Sequence, residues 1–539
     1  MSTEQPRIKR NDYSVLQPPA IGQWAPALSV TIVIPAHADQ DKLDITLAAL
    51  TAQTYPSHLV EVIVVDDGSD PPLRLPEIVP EHTRIVRGDA GGWGSGHAFH
   101  TGICQADGDV ILRLDADMLT HREHVEAQLR WHHLADYLIV LGGKRFTDYS
   151  PGELTPEKVF DAVSAGAAGT LFDWDSSRRD WVEEVFEKYD DLRTATHRMF
   201  TVAVGATLSL PARLYHAAGG MDTELVLGGD TEFGYRAAQA GAVFIPDREA
   251  QSWHLGMSAM IRQRGDGARF RDPFIANRIP LLRDRRKAPG RQWLVPYIDV
   301  VVAAEGASHE DVQATVDGVL ASSLPDIRVS LVGPWSSLTD ERRPLLDDPR
   351  LDLNLLRWRY GPDGRVRLVE TIPETAAPVP FRFFCPAGWV PTAAALHKLV
   401  KLSDEHYYGL ISLALPDQTS DRAAARLERT ACFSRAALLR VPGENIDDLV
   451  DDLFGSYWLD GTEWALIPAA DVPPPTWPTD WKGEAQRWRT EAEKWKAEAT
   501  VLKKRLRANA EARTSDPQPK SATLSRIRRR LARSIAGSK

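Results

Sequence analysis

Two aspartates one residue apart, Asp115 and Asp117, are the side chains of this sequence best placed to do chemistry. They follow a largely apolar run at residues 111–114 that is typical of a buried strand. Because side chains alternate along a strand, both carboxylates face the same side where the chain leaves the sheet. Mg²⁺ is usually held by one or two carboxylates together with substrate oxygens. The pair therefore predicts a divalent metal that carries a phosphate group, and an acidic turn at a strand end is the alternative.

The segments before this pair predict the elements that position it. Residues 29–35 and 60–65 are β-branched runs typical of buried strands, and residues 43–52 have the apolar spacing of a helix. Strand, helix and strand at this spacing indicate a parallel βαβ unit. Ligands of such sheets lie beyond the carboxyl ends of the strands, where Pro35, Asp67 and Asp115 fall. We expect these three residues to share one crevice.

Four short segments follow one another in a recognisable order. They are residues 31–37 (TIVIPAH), 65–69 (VDDGS), 115–117 (DAD) and 228–236 (GGDTEFGYR). With these segments the chain resembles the family 2 glycosyltransferases of the GT-A fold, over about residues 28 to 265. The resemblance implies an α/β, Rossmann-like catalytic domain that transfers a sugar from a nucleotide-diphosphate sugar with inversion. It also implies Mn²⁺ or Mg²⁺ as cofactor.

The resemblance assigns roles to individual residues of the nucleotide and metal sites. Pro35 and Asp67 would line the pocket for the base and ribose, and Asp115 would face the ribose. Asp117 would bind the metal, and His254 stands where metal-dependent relatives have a further metal ligand. A structural histidine is the alternative interpretation of His254.

Asp230 stands at the position of the family's catalytic base, although the acidic residue that usually precedes it is Gly229 here. A carboxylate at this point would take the proton from the acceptor hydroxyl. Residues 231–240 have helical spacing, so Asp230 is also a candidate helix N-cap. Both roles are compatible.

Clustered glycines at residues 91–102 precede a predicted helix and would allow close approach of a ligand. Gly92 and Gly94 are the candidates for directing backbone N–H groups at a diphosphate. A surface loop is the equal alternative. Many relatives have an Arg-Asn pair where Phe99 and His100 stand, which puts donor contacts from that helix in doubt.

The length of 539 residues, with 43% apolar residues, predicts a globular protein of more than one domain. We place an N-terminal extension at residues 1–27, the catalytic GT-A domain at 28–290 and a second domain at 291–470. Residues 297–305, 311–321 and 327–332 repeat the opening strand, helix and strand. The carboxylates are missing from this copy, so we predict a degenerate GT-A-like domain with a structural or acceptor-binding role. A generic α/β domain is the alternative.

The C-terminal part has three predicted segments: a Pro-rich linker at 471–480, a coiled-coil helix at 481–512 and a basic amphipathic tail at 513–539. In the helix, bulky and small residues recur at alternating steps of four and three, which predicts a homo-oligomer; a helix packed on the enzyme is the alternative. From Lys503 onward the balance of charged residues is +10, in a chain whose net charge is −10. Such a tail suits an anionic membrane surface, and a solvated charge run is the alternative.

Three scattered cysteines and a polar N-terminus indicate a cytoplasmic protein, and the tail would place it at the inner face of the plasma membrane. We expect sugar transfer to a hydroxyl of a cell-surface glycan or lipid-linked acceptor, with a UDP- or dTDP-sugar as donor. The acidic body argues against nucleic-acid binding. A non-catalytic scaffold that binds nucleotide sugars and a sugar-phosphate nucleotidyltransferase are the alternatives.

Overall fold

A computed structural model describes residues 5–288, 290–342, 344, 346–416, 425–472 and 481–514 of the protein, without the side chains of residues 259, 260, 481–485 and 506–514. Contacts divide the chain into two units, Met1–Val472 and Pro473–Lys539. Most of the predicted linker and the basic tail from residue 515 onward lie outside the described residues.

The first half of the large unit is built on a seven-stranded sheet. Its strand order is β10-β6-β9-β4-β1-β2-β3, and β9 is antiparallel to both of its neighbours. A smaller sheet, β5-β11-β7-β8, lies at the carboxyl end of β4. The strands are β1 Val30–Ala36, β2 Val60–Asp66, β3 Thr83–Arg87, β4 Val110–Leu114, β5 Met118–Thr120, β6 Leu138–Gly142, β7 Arg145–Thr147, β8 Arg178–Arg179, β9 Thr207–Pro211, β10 Val243–Asp247 and β11 Ser252–Leu255.

Helices cover both faces of this sheet, which explains why every residue of β1 is buried. Predicted strands and helices in this region lie within three residues of those observed. The helices are α1 Gln40–Thr51, α2 Ser95–Ile103, α3 His124–His132, α4 Pro156–Ser164, α5 Trp181–Lys188, α6 Ala212–Ala217, α7 Gly229–Gln239, α8 Ala259–Arg262 and α9 Arg264–Arg278.

The second half contains another seven-stranded sheet, with order β14-β13-β12-β15-β18-β17-β19. When the strands of each sheet are numbered along the chain, the two sheets have the same spatial order. In the second sheet β18, like β9 in the first, is antiparallel to both of its neighbours. An antiparallel pair, β16 with β20, repeats β5 with β11. The strands are β12 Ile298–Ala303, β13 Ile327–Val332, β14 Val366–Val369, β15 Phe381–Phe384, β16 Trp389–Pro391, β17 Leu410–Ala414, β18 Ala425–Arg429, β19 Ser456–Asp460 and β20 Leu466–Pro468.

A second α/β domain is therefore present, as the sequence predicted. It differs from the first half between its third and fourth strands, where residues 370–380 form no helix and α2 has no counterpart. Its helices are α10 His309–Leu320, α11 Leu351–Tyr360, α12 Ala395–His406, α13 Thr430–Leu439, α14 Ile446–Phe454 and α15 Gly461–Trp464, and the C-terminal unit contains α16 Trp481–Thr514.

The N-terminal extension is packed into both halves of the large unit. Asn11 Nδ2 donates to the carbonyls of Leu192 and Phe244 at 3.1 and 2.8 Å. The buried Arg435 of α13 donates to the carbonyls of Arg10 and Ala242 at 2.7 and 2.8 Å. These bonds satisfy backbone groups that would otherwise be buried without partners, so they hold the two sheets and the N-terminal segment together.

Two buried histidines on α3 predict that the fold is sensitive to acid. Burial lowers the pKa of His124 to about 4 and that of His132 to about 3. His124 Nδ1 donates to the carbonyl of Gln251 at 2.9 Å, and its Nε2 lies 2.7 Å from Thr207 Oγ1, so the neutral ring is the form that fits. In the unfolded chain both rings bind a proton below about pH 6.5.

Since the unfolded state then holds more protons, the free energy of unfolding should be greatest above pH 6.5. It should fall by roughly 1 kcal/mol per pH unit for each ring as the pH drops towards 4. Urea unfolding at pH 7.5, 6 and 5 measures this loss, and replacing His132 with Gln should reduce the pH dependence. Equal unfolding free energies at pH 7.5 and 5 would contradict the prediction.

Candidate functional site

The ends of β1, β2 and β4 meet at one edge of the first sheet. Pro35 and Ala36 lie beside Val65 and Asp66 in the parallel register, and the backbone N–H of Asp67 donates to the carbonyl of Ala36 at 2.8 Å. This adjacency brings the predicted base and ribose residues, Pro35 and Asp67, together. Pro35 is buried in the sheet, whereas Asp67 is partly exposed at its edge.

Asp66 and Asp67 differ in what their carboxylates bind. Asp66 is buried and accepts from the backbone N–H groups of Ser69 and Leu73 at 2.8 and 3.1 Å, which closes the turn after β2. Although burial opposes it, these bonds lower the pKa of Asp66. Asp67 Oδ2 accepts from the backbone N–H of Gly94 at 2.7 Å. The second aspartate therefore ties the glycine loop to the strand end.

Two positions of this loop require glycine, one because a side chain would collide with a neighbour and one because of its backbone conformation. Gly94 precedes α2 with φ +96°, and a Cβ on Gly92 would lie 2.5 Å from Cδ2 of His97. A Cβ on Gly94 would lie 3.3 Å from Cγ1 of Val226, in the segment that leads to Asp230. The loop thus connects the strand end that carries Asp67 with the entry to α7. Contacts of Gly92 and Gly94 with a nucleotide remain a prediction.

Phe99 and His100 of α2 have structural environments. Phe99 is buried in the core, and His100 Nδ1 lies 2.7 Å from the hydroxyl of Tyr215. That hydroxyl in turn accepts from the backbone N–H of Met221 at 2.9 Å. The two residues therefore support the segment before Asp230 through the core.

Pairing of β11 with β5 in the small sheet brings His254 to Asp117, which lies 137 positions earlier in the sequence. His254 pairs with Met118, and the backbone N–H of Leu255 donates to the carbonyl of Asp117 at 2.8 Å. His254 Nε2 lies 3.6 Å from Asp117 Oδ1. Asp115 and Asp117 keep 31% and 28% of their side-chain surface exposed, so both carboxylates remain open to a ligand.

The charges around Asp117 suit a divalent cation. Burial raises the pKa of Asp117. His254 and Lys42 oppose this rise, and the carboxylate of Asp115 adds to it. The buried Nδ1 of His254 has no hydrogen-bond partner. Within the described residues no group of three or more His, Cys, Asp or Glu side chains could hold a metal. Asp117 and His254 lie close enough to act as two protein ligands of a cation, and substrate oxygens would complete the coordination.

Asp230 lies in the first turn of α7, because the helix begins at Gly229 and its N-cap is Gly228. The helix therefore starts two residues earlier than predicted, and Asp230 is not its N-cap residue. Asp230 Oδ1 accepts from the backbone N–H of Thr231 at 2.7 Å, and Oδ2 accepts from that of Gly205 at 3.0 Å. These two bonds fix the carboxylate beside the first turn of α7.

Arg113 is a site residue that the sequence analysis missed. Its guanidinium is buried, and Nη2 donates to Asp115 Oδ1 at 3.3 Å. It also lies against Gly205, where an added Cβ would come within 2.3 Å of Arg113 Cζ. Arg113 therefore links Asp115 to the residue that binds Asp230. An arginine inside an apolar strand, on the same face as the two aspartates, was the available signal.

Replacing Gly205 with Ala should displace Arg113 and the N–H group that holds Asp230. Overpacking of this kind typically costs about 1–3 kcal/mol, so we expect a lower melting temperature together with a lower turnover number. Gly265→Ala is the matched control, because a Cβ on Gly265 meets no atom within 4 Å. A Gly205→Ala variant with unchanged turnover would show that this contact does not position the site.

Residues 31–208 match the model of "Glycosyl transferase family 2". The chain is 33% identical over 101 residues to "Glycosyltransferase AglE" of Haloferax volcanii, covering 18% of this chain and 33% of that protein. It is 31% identical over 121 residues to "Probable glycosyltransferase YdaM" of Bacillus subtilis, covering 21% and 26%. A mannosyltransferase from Pyrobaculum calidifontis, solved with GDP-Man and Mn²⁺, aligns at 18% identity over 49% of this chain and 64% of that one, with a TM-score of 0.28.

Residues 31–208 match the family 2 model, and both curated relatives are glycosyltransferases, which confirms the family resemblance predicted from the sequence motifs. The predicted α/β fold, in which the domain with the family match is followed by a second α/β domain, is likewise confirmed. The chain spans about a third of the first curated relative and about a quarter of the second.

Proposed function

We propose that this protein is an inverting glycosyltransferase that moves a sugar from a nucleotide-diphosphate sugar to an acceptor hydroxyl. The observation that carries the proposal is the arrangement of three carboxylates and one imidazole beside the first sheet. Asp117 and His254 lie together on one side, and Asp230 is linked to Asp115 through Gly205 and Arg113. One site thus has a place for a metal diphosphate and a carboxylate to serve as base.

In this proposal Asp117 and His254 would hold a divalent ion, which would supply Lewis-acid stabilisation of the departing nucleoside diphosphate. Asp230 accepts the proton of the acceptor hydroxyl as its oxygen forms the bond to C1. The bond from C1 to the phosphate oxygen breaks with its electron pair on the leaving group. Direct displacement inverts the anomeric centre, so an α-linked donor yields a β-linkage.

Asp67 supports a uracil or thymine nucleotide, because a carboxylate can accept from the imide N–H of either base. Isothermal titration of UDP, dTDP and GDP into the protein, with and without Mn²⁺, tests this preference. We expect one of the first two to bind with a clear requirement for Mn²⁺. Tighter binding of GDP would overturn the base preference, and metal-independent binding of all three would overturn the donor site.

The acceptor remains a proposal: a hydroxyl of a cell-surface glycan or of a lipid-linked glycan, reached from the cytoplasmic side of the membrane. The basic tail that suggested a membrane surface lies outside the described residues. Among the helices that are described, none combines the length and the apolar character of a membrane span.

We also propose that α16 joins copies of the chain. Along its described side chains, Trp488 and Trp495 are 69% and 66% exposed, and Leu502 is 58% exposed. They recur at intervals of seven, which is the spacing of a coiled-coil seam. Replacing both tryptophans with Glu should reduce the mass found by sedimentation equilibrium to that of one chain. A wild-type protein that sediments as a monomer would overturn the proposal.

A further inference from the structure

The strand registers relate each site residue of the first domain to a position in the second. Val30 pairs with Val60 and Val110, and Ile298 correspondingly pairs with Ile327 and Phe381. These pairs allow equivalent positions of the two domains to be counted. In the second domain, the residues equivalent to the proposed nucleotide and metal ligands carry no carboxylate or imidazole. Asp67, Asp115, Asp117 and His254 correspond to Pro334, Pro386, Gly388 and Pro468.

One carboxylate of the first domain, that of Asp230, has an equivalent in the second domain. α14 precedes the last strand of the second sheet, as α7 precedes the last strand of the first. Asp230 is the second residue of α7, and Asp447 is the second residue of α14. The second domain has thus lost the residues proposed for the metal diphosphate and kept the carboxylate on the acceptor side.

A groove lies between α14 and the second sheet at this place, with a volume of about 760 Å³. Across its floor, Phe384, Arg426, Ser412 and Trp458 lie in one register on four neighbouring strands. At the usual spacing of strands this row is about 14 Å long. The groove is therefore an elongated surface that could hold several sugar rings in a row.

The lining of the groove identifies the chemistry of its ligand. Trp458 is 54% exposed and offers a ring face to the C–H groups of a sugar. Arg426 binds Asp447 with two bonds of 2.7 Å and also pairs with Glu428 at 2.7 Å. Asp448 and Asp451 add two further carboxylates. Because acidic groups outnumber this single guanidinium, the groove disfavours phosphate and suits an uncharged ligand with many hydroxyls.

We propose that this groove of the second domain binds an uncharged stretch of the acceptor glycan, without donor or metal, and so holds the acceptor chain on the enzyme. Trp458 is the stacking platform, and the carboxylates around Arg426 accept from sugar hydroxyls. Only one part of this inference rests on the proposed function, namely that the bound glycan is the acceptor of the transfer. Binding itself requires neither Asp117 nor Mn²⁺.

The test is titration of the full chain with four uncharged linear hexasaccharides, built of glucose, mannose, galactose or N-acetylglucosamine, in the absence of metal. We expect saturable binding of at least one of them. Trp458→Ala should weaken that binding about tenfold, which is the loss of one good stacking contact. Trp458→Phe should retain most of the affinity, because it keeps an aromatic face.

Trp358→Ala is the matched control, since Trp358 is 73% exposed on α11 and lies outside the groove. Absence of saturable binding to the wild type would overturn the proposal, as would equal losses in the two Ala variants. Asp117→Ala should leave hexasaccharide binding unchanged. A protein that binds the oligosaccharide but no nucleotide would retain this inference and lose the proposed function, so the two can fail separately.

Discussion

Replacing Asp117 with Ala should reduce sugar transfer by about 10³-fold, because Lewis-acid stabilisation of a leaving diphosphate contributes several kcal/mol. The same change should remove the Mn²⁺-dependent part of nucleotide binding, since it takes away one of the two proposed protein ligands of the metal. His254 Nε2 would then lack the carboxylate oxygen of Asp117 that lies 3.6 Å from it. Transfer rates and calorimetric titration of the donor nucleotide with Mn²⁺ measure both effects.

Glu77→Ala is the control for Asp117→Ala, because it removes an exposed carboxylate of the same domain that is not among the proposed site residues. It should keep both transfer and metal-dependent binding. If Asp117→Ala binds the nucleotide with undiminished dependence on Mn²⁺, then Asp117 is not a metal ligand. The acidic turn would in that case be the better interpretation of the Asp115 and Asp117 pair.

Replacing Asp230 with Asn should lower the turnover number by about 10²- to 10⁴-fold and leave donor binding intact. An Asn side-chain oxygen can still accept one of the two backbone N–H groups that Asp230 binds, those of Gly205 and Thr231. The change therefore removes the proposed base while preserving much of the local structure. Steady-state rates and titration of the donor nucleotide separate the two effects.

Glu224→Gln is the control for this variant. Glu224 lies in the segment before α7, and its carboxylate is 80% exposed in an ion pair with Arg278. Its replacement should leave turnover unchanged. Full activity of Asp230→Asn would exclude Asp230 as the base, and loss of donor binding together with turnover would indicate a structural role instead.

The sequence predicted the strands and helices that carry the nucleotide end of the site because their patterns are local. The apolar run before Asp115 and the glycines before α2 report conformations that depend on neighbouring residues in the chain. The start of α7 was placed two residues too late, since a helix that opens at glycines with Gly228 as N-cap gives little local signal. Arg113 was missed for a related reason. Its role depends on Gly205, which approaches it only in the folded sheet.

The sequence by itself determined the resemblance to the family, the order of the motifs, the paired carboxylates and the absence of those carboxylates from the second domain. Only the tertiary structure decided which distant groups meet. The pairing of β11 with β5 brings His254 to Asp117, and the position of α7 sets Asp230 on the N–H of Gly205. The structure also gave both sheets the same strand order and opened a groove beside Asp447. Strand register and helix placement arise from long-range packing, which no local stretch of sequence encodes.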